Sequence, residues 1–418
     1  MNWMNQMQGN ELYQHLLGLK EPWFVSNLKL NIEEQRVDVW IDHPKGITWL
    51  CPNCGKEHPL YDHTNERVWR HLDSCQFMTY LHASPPRVEC PDHGIHQVIL
   101  PWAEARSRFT ALFEWLAIEV LLHTDIKGAS QILRISWDEA WHIMERAVER
   151  GLKAKESTIH NNLGVDEKQV AEGHQYITLV NDLDQGVVDY IGDGRTKETL
   201  NSYFLGLTSE QLTNIQTIAM DMWEPYLLAI RENVPDPDNK LVHDKYHIMS
   251  HMGQAVDKVR RQESRSFQSA EVNPLTGSKY FWLYAAENLP TQHQERFEEL
   301  KKMNLKTGRA WAIKESFRHF WQCSDLESGL QYWRKWFFWA THSRLKPVID
   351  VAKMIHNHLQ NVLTYFTHHI TNATSEGINS KIGTIQKRAY GISNREHLKT
   401  VIYFHCGGLC LYPSTHVN

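Results

Sequence analysis

This sequence is short of several things. It has no excess of basic charge: 44 Lys and Arg stand against 49 Asp and Glu, a formal net charge of −5. A uniform basic coat for nucleic acid is thereby excluded, although local basic patches are compatible with the total. It has no long apolar run. The most apolar stretch, Leu112–Leu122, is too short to cross a bilayer and is broken by Glu114 and Glu119, so no membrane association is expected. Met1–Asn10 lacks a basic start and a following apolar block, so no secretory leader is expected. Cysteine is scarce, and its count of seven is odd, which favours reduced thiols in a cytoplasmic chain over a disulfide scaffold. Internal repeats and low-complexity tracts are missing too.

What is present is ordinary globular composition, 42% hydrophobic and 22% charged, in 418 residues with an unusual 16 Trp and 25 His. At roughly 100–200 residues per domain, this length implies two to four domains. The pattern divides the chain into residues 1–103, 104–158, 159–262, 263–345 and 346–418. The first part mixes Cys, Pro and Gly with short alternating segments such as Val37-Asp38-Val39-Trp40-Ile41, a half-buried strand. The second is helical, with Phe109, Leu112, Phe113, Leu116, Val120 and Leu121 recurring at helical spacing. The third is rich in strands: Tyr176–Val180, a turn over Asn181–Gly186, Val187–Ile191, then a helix over Lys197–Leu205 and strands at Ile215–Met220 and Leu241-Val242. The fourth is helical and aromatic, and the fifth returns to amphipathic helices. The fold class is a mixed α/β, multidomain chain.

Cys51-Pro-Asn-Cys54-Gly55 and Cys90-Pro-Asp-His93-Gly94 share one turn chemistry. Two such knuckles supply Cys51, Cys54, Cys90 and His93, an accepted tetrahedral set for one structural Zn2+. Cys75 is a possible competitor, His96 competes with His93, and unligated surface cysteines are the plain alternative. Farther on, Ser136 with Glu139 forms a capping box at the start of a helix. A short helix, Ala129–Leu133, precedes it, which fits a helix-turn-helix. Its second helix carries Arg146 and Arg150 against Asp138, Glu139, Glu145 and Glu149, and an ordinary helical hairpin fits as well.

Three carboxylates occupy distinctive places. Asp166 ends a short apolar segment, Asp221 ends a buried strand, and Glu376 stands near the start of a helix. Carboxylates at strand ends converge on the crevice of an α/β sheet. A cluster of three repels itself unless divalent cations neutralise it, and hard oxygen ligands suit Mg2+ or Mn2+. Two such ions can clamp both oxygens exchanged in a phosphodiester reaction. On the third helix Glu376, Asn379, Ser380, Gly383 and Lys387 share one face, while Ile378, Ile382, Ile385 and Ala389 share the opposite one. The polar face ends in Lys387-Arg388, which suits a phosphate backbone.

The segment from Ser375 to Gly391 closely resembles the end of the DDE domain in bacterial insertion-sequence transposases of the ISL-three (ISL3) type. So do Gly164-Val-Asp-Glu167, Ala219-Met-Asp-Met-Trp223 with Pro225-Tyr226, and His243-Asp-Lys-Tyr-His247 followed by Asp257-Lys-Val-Arg-Arg261. The zinc knuckles and the helix-turn-helix stand in the order such proteins have. The resemblance implies an N-terminal zinc module, a helix-turn-helix, and an RNase H-like core interrupted by an α-helical insertion. It implies that Asp166, Asp221 and Glu376 are catalytic and hold two Mg2+ or Mn2+ ions, Asp166 bridging both. The spacings, 221 − 166 = 55 and 376 − 221 = 155, leave room for the insertion.

The implied partners are double-stranded DNA, as terminal inverted repeats and target, and a second copy or more of the chain on that DNA. The implied location is the bacterial cytoplasm, at the nucleoid. Candidate DNA contacts are Arg146, Arg150, His247, Arg334, Lys335, Asn379, Lys381, Lys387 and Arg388. For His247 a structural role competes. The Trp311, Trp321, Trp333, Trp336 and Trp339 group reads as core or as a base-stacking surface. Two rival functions share these features: a catalytically silent, transposase-derived DNA-binding regulator, and a metal-dependent nuclease without strand transfer.

Overall fold

The computed structural model describes residues 9–155, 158–171, 175–267, 272–389, 391–392 and 394–414. It comprises two compact units, Met1–Glu156 with Tyr403–Asn418, and Ser157–Ile402.

The first unit opens on α1 (Gly9–Leu16) and two four-stranded sheets. One sheet has the order β1 (Phe24–Asn31), β2 (Arg36–Asp42), β6 (Phe77–Ala83), β5 (Arg67–Ser74). The other runs β3 (Thr48–Leu50), β4 (Glu57–His63), β7 (Pro86–Cys90), β8 (Gly94–Gln97). The alternation in β2 buries Val37, Val39 and Ile41. Asp38 is buried as well, which costs little because Arg36 donates to it from Nε (2.9 Å) and Nη2 (2.6 Å) and His82 Nε2 lies 2.7 Å away. Trp23, Trp49, Trp69 and Trp102 pack into this core, so part of the tryptophan excess is consumed here.

Three helices follow: α2 (Ala111–His123), α3 (Ile126–Leu133) and α4 (Trp137–Ala154). Thr110 caps α2, Asp125 caps α3, and Ser136 with Glu139 closes both halves of the expected capping box on α4. Arg134 ends α3 in the left-handed conformation, φ 56°, which makes the tight turn into α4.

In the second unit an antiparallel meander, β9 (Asn162–Ala171), β10 (Gln175–Asp182) and β11 (Val187–Asp193), is followed by α5 (Lys197–Leu205) and α6 (Ser209–Asn214). Then come β12 (Thr217–Met220), α7 (Glu224–Asn233), α8 (Pro237–Lys240) and β13 (Leu241–His243). The sheet order is β11-β10-β9-β12-β13, with β12 parallel to both β9 and β13. This is the RNase H-like core.

A helical body follows: α9 (Lys245–Ser266), α10 (Lys279–Leu283), α11 (Thr291–Lys302), α12 (Lys306–Arg318), α13 (Leu326–Thr341), α14 (Lys346–Asn357), α15 (Leu359–Leu363) and α16 (Tyr365–His368). One apolar cluster runs through it from Ile248 to Phe366, so α9 and α14–α16 share a core with residues 263–345. Trp282, Trp333 and Trp336 lie inside it, and Trp336 Nε1 donates to the Ile313 carbonyl at 2.9 Å. Phe338 (64%) and Trp339 (45%) are exposed. The chain then returns through α17 (Ala373–Arg388) to α18 (Arg395–Cys406). Among the described residues no helix is long and apolar enough to cross a membrane.

Just ahead of β9 the His160 ring is held between two carboxylates, Nδ1 to Asp182 at 2.8 Å and Nε2 to Asp189 at 3.1 Å. Its pKa is raised, chiefly by the hydrogen bond to Asp189.

Two outcomes follow for stability. Trp336→Ala should destabilise the second unit by about 3–5 kcal/mol in urea unfolding, while Trp339→Ala should change it by about 0.5 kcal/mol or less. The His160 contact is at full strength below the ordinary imidazole value of 6.5 and is lost as pH rises through the raised value. The difference in urea midpoint between the wild type and His160→Gln should therefore be largest below pH 6.5 and shrink as pH rises above it.

Candidate functional site

The register of the parallel strands sets the site. Val165 pairs with Met220, and Met220 with His243. One residue further along each strand stand Asp166, Asp221 and Asp244, three aspartates in a row at one edge of the sheet. The backbone N–H of Asp244 donates to the Met220 carbonyl at 3.0 Å, which fixes the third beside the second.

The fourth carboxylate arrives on α17. This helix lies along the face of β9 that carries Gly164, Asp166 and Lys168. A Cβ at Gly164 would collide with Ser375 Oγ and Asn372 Oδ1, so only glycine lets the start of α17 approach this closely. Farther along, Asn379 Nδ2 donates to Asp166 Oδ2 at 2.7 Å, and Lys168 Nζ donates to the Asn379 carbonyl at 2.9 Å. The face predicted to be apolar does pack inward, with Ile378 and Ile382 buried.

Each carboxylate has a distinct setting. Asp166 is buried, and its Oδ1 accepts the Glu167 N–H at 2.9 Å. Burial holds its carboxyl above the ordinary carboxylate range, and the nearby charge of His247 works against that rise. Asp221 Oδ1 accepts the Met222 N–H at 2.6 Å, and its Oδ2 lies 3.5 Å from His247 Nδ1. Glu376 is raised too, by burial first and then by the charge of Asp244. Its Oε1 is enclosed and has no hydrogen-bond partner. Glu167 is raised by burial and by Asp166, and Arg195 approaches it at 3.8 Å. Such a group of carboxylates, raised by desolvation and by one another, has the electrostatics of a cation-binding centre.

Asp244 is the residue that sequence reasoning missed. It is almost fully buried. Its Oδ2 accepts the His247 N–H at 3.3 Å, capping α9, and its Oδ1 accepts the Asn372 N–H at 3.2 Å, at the head of α17. The signal was there: Leu241-Val242 leads into an aspartate as the other two strands do. Asp244, His247 and Glu376 bring ligand atoms within 4.8 Å of one another. His243, by contrast, is core. Both its ring nitrogens lack partners, and burial lowers its pKa to about 4.

The remaining candidates are dispersed. Lys381, Lys387 and Arg388 are exposed along α17, and Arg334 and Lys335 are exposed on α13. In the first unit Arg146 donates to the buried Glu114 at 2.7 Å, and Arg150 to Glu104 (2.7 Å) and Glu114 (3.1 Å). Both guanidinium groups thus neutralise an otherwise costly buried charge. The solvent side of α4 shows Asp138, His142 and Glu149.

The zinc-ligand candidates meet as predicted. Cys90 Sγ and His93 Nδ1 are 3.4 Å apart, Cys54 Sγ and Cys90 Sγ 3.8 Å, and Cys51 Sγ and His93 Nδ1 4.0 Å. Gly55 (φ 69°) and Gly94 (φ 80°) make the two matching turns. His96 Nε2 is bonded to the His93 carbonyl instead, at 2.6 Å, and Cys75 sits at the β5–β6 turn. Three thiol sulfurs and one imidazole gathered on two tight turns fit a tetrahedral Zn2+.

Three family profiles match the chain. A profile described as the zinc-finger of transposase IS204/IS1001/IS1096/IS1165 matches residues 47–93, and one described as the helix-turn-helix domain of transposase family ISL3 matches residues 98–148. The ISL3 DDE profile, described as transposase, matches residues 163–402. The chain is 24% identical over 431 aligned positions to the transposase for insertion sequence element IS1557 of Mycobacterium tuberculosis, with 94% of each chain covered. It is 23% identical over 358 positions to the transposase for IS1001 of Bordetella parapertussis, covering 85% of this chain and 88% of that one.

Elemental analysis should find about one zinc per chain. Joint Cys51→Ser and Cys54→Ser substitution should remove it; zinc retained at full occupancy in that variant would contradict the four-ligand assignment.

Proposed function

The chain belongs to the ISL3 family of insertion-sequence transposases, and from that premise we propose that it binds the terminal inverted repeats of an element, cleaves DNA strands there and joins the ends to target DNA. The observation that supports this reading is the strand register that stands Asp166, Asp221 and Asp244 side by side, with Glu376, whose Oε1 is orphaned, brought within 4.8 Å of Asp244 and His247.

The all-oxygen character of these three side chains fits Mg2+ or Mn2+. When bound, such ions supply the Lewis acidity that activates an attacking water or 3′-hydroxyl and stabilises the leaving oxygen. The chain's own residues do the rest. Asp166, Asp221 and Glu376 would hold such ions. Asn379 keeps Asp166 Oδ2 oriented, and Lys168 keeps Asn379 in place. Lys381, Lys387 and Arg388 are offered to the DNA backbone along α17, and Arg334 and Lys335 along α13. The zinc ribbon holds one structural Zn2+ and, with the helix-turn-helix, positions the chain on DNA. Two element ends are held together by a dimer or larger assembly.

Asp166→Asn, Asp221→Asn and Glu376→Gln should each lower cleavage of a labelled terminal-repeat duplex by about 100-fold or more. Binding of the same duplex in a gel shift should be retained. Cleavage at the wild-type rate in any of the three would remove that residue from the site. Nicked but never joined products would favour a nuclease over a transposase.

A further inference from the structure

We propose that His247, together with Glu376 and Asp244, completes a mixed nitrogen–oxygen ligand set at one cation position of the active site, so that this position takes a transition metal of the Mn2+ class in preference to Mg2+. The inference rests on the carboxylate centre proposed above and extends it from which carboxylates bind to which element is bound.

Four observations support it. The ligand atoms of Asp244, His247 and Glu376 lie within 4.8 Å of one another, close enough to face a single ion. Glu376 Oε1 is enclosed without a hydrogen-bond partner, which is costly unless something else occupies that direction. His247 Nδ1 stands 3.5 Å from Asp221 Oδ2, so the imidazole is near the Asp221 carboxylate as well as the Asp244–Glu376 pair. The set is also pre-organised. The one Asp244 carboxylate accepts the His247 N–H and the Asn372 N–H, so the backbone that carries His247 and the backbone that leads into Glu376 are tied to the same group. Its two oxygens keep further lone pairs for an ion.

The neighbouring cations are turned elsewhere. Lys168 Nζ goes to the Asn379 carbonyl and Arg195 approaches Glu167. Neither takes the place of an ion beside Glu376. A nitrogen donor then decides the metal. Mg2+ binds oxygen ligands in near-ideal octahedral geometry and gives up water reluctantly, whereas imidazole favours transition metals.

The test is pulsed electron paramagnetic resonance on the full-length, zinc-loaded protein with Mn2+ as the probe. A nitrogen directly bound to Mn2+ should appear as a 14N coupling in the wild type. Uniform 15N-histidine labelling should convert it to a 15N pattern, and His247→Asn should abolish it. The preference for Mn2+ over Mg2+, measured by competition, should fall on the order of 10- to 100-fold in that variant. The labelled wild type makes the test independent of how well the variant folds. Bound Mn2+ that depends on Asp166, Asp221 and Glu376 yet shows no nitrogen coupling would overturn the mixed ligand set and leave the carboxylate centre standing. Mn2+ binding indifferent to Asp166→Asn, Asp221→Asn and Glu376→Gln would overturn both.

Discussion

A group of desolvated carboxylates cannot hold itself together. Each negative charge disfavours the next, and burial disfavours them all. The raised pKa values of Asp166, Glu167 and Glu376 are the measure of that opposition. The catalytic unit is therefore built to enforce a proximity that its charges resist. The strand register does the first part, because hydrogen bonding between β9, β12 and β13 leaves Asp166, Asp221 and Asp244 no choice but to stand side by side. The seam between β9 and α17 does the second. Gly164 removes the side chain that would keep the helix away, and Asn379 and Lys168 hold it down.

The helical body serves the same end by different means. Its interior is a continuous aromatic and aliphatic cluster from Ile248 to Phe366, and it shares α9 with the edge of the site. Packing of that density resists deformation. The helix bearing His247 is therefore anchored along its length by Met252, Val256 and Val259 rather than only at its capped start.

Much of this was legible in the residues. The alternation in Val37–Ile41, the β-branched run of Tyr176–Val180 and the helix over Lys197–Leu205 appear where local pattern placed them, because each is governed by a short-range periodicity. The two knuckles were legible because the motif is repeated. Partnerships across long separations were not. Glu114 sits in an apolar helix with no sign that Arg146 and Arg150, 32 and 36 residues away, will neutralise it. Asn379 reads as one more polar position on a helix face, while its partner Asp166 lies 213 residues earlier. Asp244 escaped for another reason: its strand is three residues long, too brief for alternation to mark its end. The spacing of Asp166, Asp221 and Glu376 was informative only because it recurs in a known family.

The clamp at Asp244 also imposes an order on biosynthesis. The ribosome releases the zinc knuckles, the three helices after them and the whole sheet before the residues that form α17. Until Asn372 meets Asp244, a nascent chain presents its aspartates without the glutamate that α17 brings to them. Assembly of the centre is thus coupled to near-completion of translation, and so is that of the first unit, which takes Tyr403–Asn418 into its fold.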